Sequence, residues 1–526
     1  MNFSSKLSVV LVAGLALGAC NEDDPYGDAR ALSGPVSTRS ALAWIDQDRS
    51  ELVFVRPGDD DIELAHRAIG DERTQVNWML PTLDGDELLA MVVPSSQKEE
   101  DVEERLYVFP ADGDGDARSY DVLAPFSTVD LSPDRRRAVL HFGSGTDGLS
   151  ETGVLQNANQ VAIVTLDSTD PPRSFTLNGF GGRLARVEFP GQTTPGQPGP
   201  IQIGNRLRDI VAFLADNEVV LVDMDDTAAN QVAVNIGSIT FTPEQTLLRP
   251  ANDKFDDPVL FLRSSSSSDV AMLTLAPKVE DDGFTAQVSL LPIGTQASDF
   301  VTHDGEDVPY LVTLDPSRQA LAFTDIRTQQ GFPVALDGEV SRMFTRTHDS
   351  DPGPEDQVEQ LVMWGPGGST IYTLELDGID DALGRSPRPL GIQTGIESLV
   401  VLDNDRVLVG SGNNLYVVDF TVEQVTPLSS PTAYDATSSA LEGDLLLLGT
   451  SAQSWISTVD LTTLDPESML LDDPISSFHY LSAVGKVVVV HADPVGHISV
   501  AQAGAPSRSS TYSAWGFLYA DMLERN

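Results

Sequence analysis

Cysteine is almost missing from this chain: Cys20 stands alone among 526 residues. A single thiol forms no intramolecular disulfide and no thiolate zinc cluster, so packing and hydrogen bonding must hold any fold built here. Positive charge is scarce as well, with 32 Lys and Arg against 79 Asp and Glu, for a net charge of -47. A field of that sign repels phosphate backbones and excludes nucleic acid as a partner class. The apolar run from Leu7 to Ala19 is shorter than the about 20 residues that span a bilayer. It follows Lys6 and ends at small residues, as a cleaved secretory signal does. Long helical periodicity is also lacking, which argues against a helical fold.

What is present instead is a succession of short Val, Leu, Ile and aromatic runs between Gly, Asp, Pro and Ser clusters. That pattern belongs to many strands joined by tight turns, so the chain is all-β. One kind of run ends in aspartate repeatedly: 161–167, 219–225, 371–377, 415–419 and 456–460. A second element is the Ser-Pro-Asp turn inside Val129–Phe142, with related segments at Leu314–Phe323 and Thr240–Glu244. Proline presets the backbone angle of such a turn, and Asp and Ser bond back to nearby amides. A unit built from these pieces recurs roughly every 40 to 60 residues, the range of four-stranded propeller blades. Unit starts are expected near Val76, Ser127, Ala185, Ile239, Phe300, Val340, Ile396, Tyr434 and Phe478. The segments 41–46, 52–56 and 62–65 read as an incomplete blade, which Trp515–Tyr519 would complete from the other chain end. The expectation is a β-propeller of about eight blades, within a range of seven to nine. A pair of β-sandwiches is the alternative.

Leu17-Gly18-Ala19-Cys20 resembles the lipobox of bacterial lipoproteins, which implies cleavage before Cys20 and a lipid anchor on that residue. Asn21, not aspartate, follows it, and by the enterobacterial sorting rule this favours the outer membrane, on its periplasmic face or at the cell surface. The expected organisation is therefore a signal peptide over 1–19, a flexible acidic and Ser/Gly/Pro tether over 20–38 and a propeller over 39–526. The Ser-Pro-Asp units resemble the repeats of TolB-like and YVTN-type propellers. The pairing of lipobox and propeller is similar to that of the BamB-type assembly lipoproteins.

Chemistry is thinly marked. Asp112-Gly-Asp114-Gly-Asp116 is the best metal candidate, because alternate carboxylates on a glycine turn can converge on calcium, with Asp121 available to join them from the returning strand. The same residues also make a good hairpin turn. His491, Asp493 and His497 lie close in sequence, but strand alternation sends neighbours to opposite faces, so hydrogen-bonded histidines are expected there. His303 and His348, each in a Thr-His-Asp context, have no evident partners. The serine lipase elbow, the His-Glu-x-x-His helix, the Asp box of sialidase propellers and the adjacent cysteine pair of quinoprotein dehydrogenases are all missing. The Pro/Gly stretch 191–200 and the serine tract 264–268 read as exposed loops.

No catalytic residue and no organic cofactor follow from these observations. The leading expectation is an exported, lipid-anchored platform for a protein or glycan partner. The alternatives are a carbohydrate- or lactone-acting enzyme with a carboxylate or calcium site, and an outer-membrane assembly factor.

Overall fold

A computed structural model describes residues 30, 32–70, 73–95, 103–143, 157, 159–177, 184, 186–191, 200–215, 217–225, 231–236, 241–251, 257–279, 282–305, 308–349, 357–379, 386–411, 414–428, 439–442, 445–449, 453–503 and 511–518. These residues form ten four-stranded antiparallel sheets, each running in chain order from first to fourth strand. They are the blades of an all-β propeller fold. Numbered in chain order, the blades span 33–68, 74–122, 128–176, 186–235, 245–292, 299–335, 342–391, 398–428, 439–470 and 475–515. A small hairpin, Ile201–Ile203 with Arg206–Arg208, is inserted into blade 4. The separate meanders replace the two large sheets that a pair of sandwiches would have required.

The expectation of eight blades, or seven to nine, is thus corrected to ten. Each of the nine expected unit starts lies at a blade of its own despite their uneven spacing, and the early strands make a tenth. Blade 1 is complete by itself: its first strand, Ser33–Ser37, sits in the segment read as tether and carries too little apolar side chain to register as a strand. Thr511–Trp515 pairs with His497–Gln502 as the fourth strand of blade 10, so the late segment completes its own blade and not the first.

The chain divides into two compact units, one comprising Met1–Pro125 with Ala440–Asn526 and the other Phe126–Ser439. In the first unit, blade 10 packs on blade 1 through Leu42, Trp44, Val53, Val488, Ile498 and Phe517. Tyr512 Oη also donates to the Gly58 and Asp61 carbonyls at 3.0 and 2.6 Å. The two chain ends therefore meet blade against blade. In the second unit, successive blades share cores, for example Val211 and Phe213 against Val139 and Val161, or Leu260 and Leu273 against Leu214 and Leu221. The middle strands are buried on both faces, as in Val487 to Val489, which is why they read as continuous apolar runs.

The aspartates that end strands have a local task. Asp46, Asp315, Asp419 and Asp460 each accept an amide two or three residues on through Oδ1. The residue four beyond each is left-handed: Ser50, Gln319, Glu423 and Leu464, with Gln329 after Asp325 as a fifth case. The carboxylate ties the turn and the left-handed residue returns the chain. Ser132-Pro133-Asp134 joins Thr128–Leu131 to Arg137–His141, as expected. The Leu314–Phe323 segment is a hairpin too, but between the second and third strands of blade 6. Residues 241–244 lead into blade 5 without a hairpin. Thr82-Leu83-Asp84 makes a second turn of the same kind without the proline that marks the first in the sequence.

Candidate functional site

The first strands of neighbouring blades approach one another, so their side chains are the natural place to look for convergent chemistry. In the first unit, three adjacent first strands are irregular. Their ladders slip between Ser33 and Val36, between Val76 and Trp78, and between Ile475 and Ser477. The first-strand pairings of blades 3 to 8 run in unbroken register. A bulge re-aims the side chains beside it, and bulges concentrate near functional sites. Here they leave Asn77 and Ser476 exposed and Trp78, Phe478, His479 and Tyr480 half-buried. Gly34, at φ +130°, lies so close to blade 2 that a Cβ would stand 3.3 Å from Met79 Cε. His479 Nε2 meets Ser477 Oγ at 3.0 Å. Burial lowers its imidazole to about 4, so the ring is neutral at pH 7. Phe478 and Tyr480 pack on the core between blades 9 and 10, so strand alternation turns His479 to the opposite face.

The second unit differs. Asp130, on the first strand of blade 3, receives His141 Nε2 at 2.6 Å, while His141 Nδ1 faces the Phe142 carbonyl at 3.1 Å. Glu188, on the first strand of blade 4, is buried beside Arg186 and hydrogen-bonded by Thr246 of blade 5. Burial raises its carboxyl above the ordinary value; Arg186 pulls it down, and the charge on Asp130 adds to the rise. Asp299, on the first strand of blade 6, accepts from Gln245 at 2.7 Å and from the Met343 amide at 2.8 Å, tying blades 5, 6 and 7. A carboxyl raised by burial beside a second acidic group is a pairing that can serve in proton transfer. A cavity of about 560 Å³ also opens in this unit, between the turns at 316–319, 339–341 and 365–366.

The calcium candidate is a contact between blades 1 and 2. Asp112 Oδ1 caps the Asp114 amide at 2.8 Å, and Asp114 pairs with Arg67 at 3.1 Å and Arg56 at 3.7 Å. Arg67 Nε also donates to the Gly113 carbonyl. Gly113 lies against the Phe54 ring, where a Cβ would come within 2.5 Å. Asp116 is exposed, and Asp121 pairs with Arg105 at 2.8 Å on the outer strand. Among the described residues, no trio of His, Cys, Asp or Glu is placed to hold a metal ion. Cys20 lies outside the described residues, as does the side chain of His348.

Two histidine sites were not legible in the sequence. His303 meets Glu359 of blade 7 at 2.6 Å, a partner 56 positions away. His491 and His497 do come together, because adjacent strands place them side by side. Their rings stack at 4.0 Å, and His497 stacks in turn on Trp515 at 3.4 Å. Asp473 Oδ2 is 3.0 Å from His497 Nδ1, while His491 reaches the Asp473 carbonyl and Ser499 Oγ. Burial and the neighbouring His491 push the His497 imidazole below its usual value, against the pull of Asp473. Asp493 instead caps the Val495 amide.

No protein-family model matches the chain, and no curated protein does either. Among solved structures, the chain is similar to a dihydro-heme d1 dehydrogenase NirN, with TM-score 0.42, 11% identity, 72% of this chain and 73% of that one covered. A eukaryotic initiation factor gives TM-score 0.43 and 10% identity, covering 90% and 98%. AztD from Citrobacter koseri gives 0.33 and 12%, covering 70% and 92%.

Proposed function

We propose that this is an exported protein, lipid-anchored through Cys20 to the outer membrane, whose propeller blades form a binding platform for a protein or glycan partner. The observation that carries the binding reading is the run of three bulged first strands in the first unit. They leave Trp78 and His479 half-buried and uncharged on the first strands of blades 2 and 10, in a chain of net charge -47. Aromatic faces with a neutral imidazole and hydroxyls beside them suit a neutral glycan, which stacks on rings and bonds to their polar neighbours. Binding of a neutral oligosaccharide panel by the purified chain, lost in Trp78→Ala and His479→Ala, tests it. Binding that survives both substitutions, or none across the panel, counts against the reading. The anchor is tested separately: radiolabelled palmitate should enter the wild-type protein and not Cys20→Ser, and cell fractionation should find the label in the outer membrane. Co-purification with a β-barrel protein would move the platform reading toward an assembly factor.

A second reading is favoured by Glu188, Asp130 and His141. In it the second unit hydrolyses a carbohydrate or lactone, with Glu188 donating the proton. Glu188→Gln should then abolish turnover of aryl glycosides or lactones while leaving the fold intact. Calcium at Asp112, Asp114 and Asp116 belongs to this reading and would show as a rise in melting temperature with added calcium, absent in Asp114→Asn.

A further inference from the structure

The outer strands of the blades are sheet edges, and edges are ready templates for pairing unless something blunts them. Nine of the ten carry an evident device. Charges interrupt the outer strands of blades 1, 2, 3, 7 and 9, proline those of blades 6 and 8, and the outer strands of blades 4 and 10 are only four and five residues long. Blade 5 has none of these. Its outer strand, Phe284–Pro292, is nine residues long, contains no charged residue and has its proline at the last position. It pairs with Asp269–Pro277 along its whole length, which holds it straight for roughly 30 Å. It is the last strand of its sheet, so its outer edge is unpaired among the described strands; Val232–Asn235 of blade 4 comes near without joining the ladder. Val288 and Leu290 stay 41% and 44% exposed on one face. An uncharged, partly apolar edge of this length, kept in so acidic a chain, is the opposite of what protection from aggregation would select.

We propose that the edge Phe284–Pro292 captures an extended segment of a partner protein as a fifth strand, the segment being apolar at alternate positions and basic at both ends. The backbone groups of the edge would supply affinity, while Val288 and Leu290 would be covered by the segment's apolar side chains. Basic ends follow from charge: Asp282, largely exposed though paired with Arg206 at 2.8 Å, precedes the strand, Asp269 lies opposite Pro292, and the whole chain is strongly negative. The same charge disfavours a second copy of this chain as the occupant. This names one protein partner class for the platform reading, and its failure would leave the glycan test at Trp78 unaffected.

The test uses the purified full chain and a fluorescent synthetic peptide of alternating threonine and valine with two lysines at each end. Anisotropy should report saturable binding, weakened at least tenfold by Val288→Lys with Leu290→Lys and at least tenfold by exchanging the peptide's lysines for glutamates. Because both substituted side chains are exposed, the variant should keep the wild-type circular dichroism. Hydrogen exchange on the wild type gives a second measure, with new protection confined to the outer strand of blade 5. Absent binding, binding indifferent to the double variant, or protection elsewhere overturns the proposal. Self-association of the wild type in sedimentation velocity that the double variant abolishes overturns it too, by making a second copy the occupant.

Discussion

Arg346 of blade 7 donates to Asp405 of blade 8 at 3.0 Å, with its guanidinium buried and the carboxylate half in water. The same group bonds Gln360 Oε1 and the Asn404 carbonyl and sits 5.0 Å above the Phe420 ring. Other junctions repeat the arrangement: Arg137 to Asp225, Arg249 to Asp304, His303 to Glu359, Arg67 to Asp114 and Lys486 to Asp59. Several of the scarce basic residues of this acidic chain therefore join one blade to the next.

Removing Arg346 should strip a buried junction of several hydrogen bonds at once. Arg346→Met is expected to cost about 2 to 4 kcal/mol, because the Asn404 carbonyl and Gln360 lose their donor. Asp405→Asn should cost only about 1 kcal/mol, since the exposed carboxylate is already well hydrated. Urea unfolding midpoints of the two variants check the order.

Gly113 and Gly115 both sit at positive φ, +70° and +89°, yet they should respond differently. At Gly115 a Cβ meets only Pro110 Cγ, at 3.9 Å, so Gly115→Ala should cost the backbone strain alone, about 1 to 2 kcal/mol. At Gly113 the same methyl runs into Phe54. Gly113→Ala should therefore lower the melting temperature clearly more, by thermal unfolding of both variants under one condition.

Gln329 holds a left-handed conformation, φ +59°, in an exposed turn. Glycine adopts it without a Cβ penalty, so Gln329→Gly should be neutral to stabilising by up to about 1 kcal/mol. A loss of stability in chemical denaturation would show that the side chain contributes more than its backbone costs.

Acid should weaken the protein in two stages. The His479 imidazole is lowered to about 4 by burial, whereas in the unfolded chain it takes up a proton near pH 6.5. The unfolded state then binds more protons between those values, so stability falls as pH drops through that window, and His479→Gln should remove this part of the slope. The second stage belongs to the turn aspartates. Burial pushes Asp315, Asp325 and Asp403 up, but the hydroxyl, amide and guanidinium groups that bond them win and hold them below the ordinary value. Asp460 is lowered mainly by the Thr462 amide. Carboxyls depressed in the fold lend stability above about pH 3.9, lost as pH falls further through their folded values. Unfolding midpoints from pH 7 to 2, for wild type, His479→Gln and Asp315→Asn, separate the stages.

Local physics made much of this protein readable before its structure. Alternating and continuous apolar runs specify strands, Ser132-Pro133-Asp134 specifies a hairpin, and Asp419 and Asp460 mark strand ends because a carboxylate bonds to amides only two or three residues away. All nine expected unit starts fall within about seven residues of an observed first strand, since each blade is a local meander. That each of the ten units closes as a complete four-stranded blade, and how the blades join, was decided only in three dimensions. Ser33–Ser37 becomes a strand because Leu42–Asp46 lies beside it, not because its own residues favour one. His303 with Glu359, Glu188 with Asp130, and the stack of His491, His497 and Trp515 join residues on separate strands or blades. No spacing along the chain encodes which blade faces which, and that choice is made by packing buried faces together.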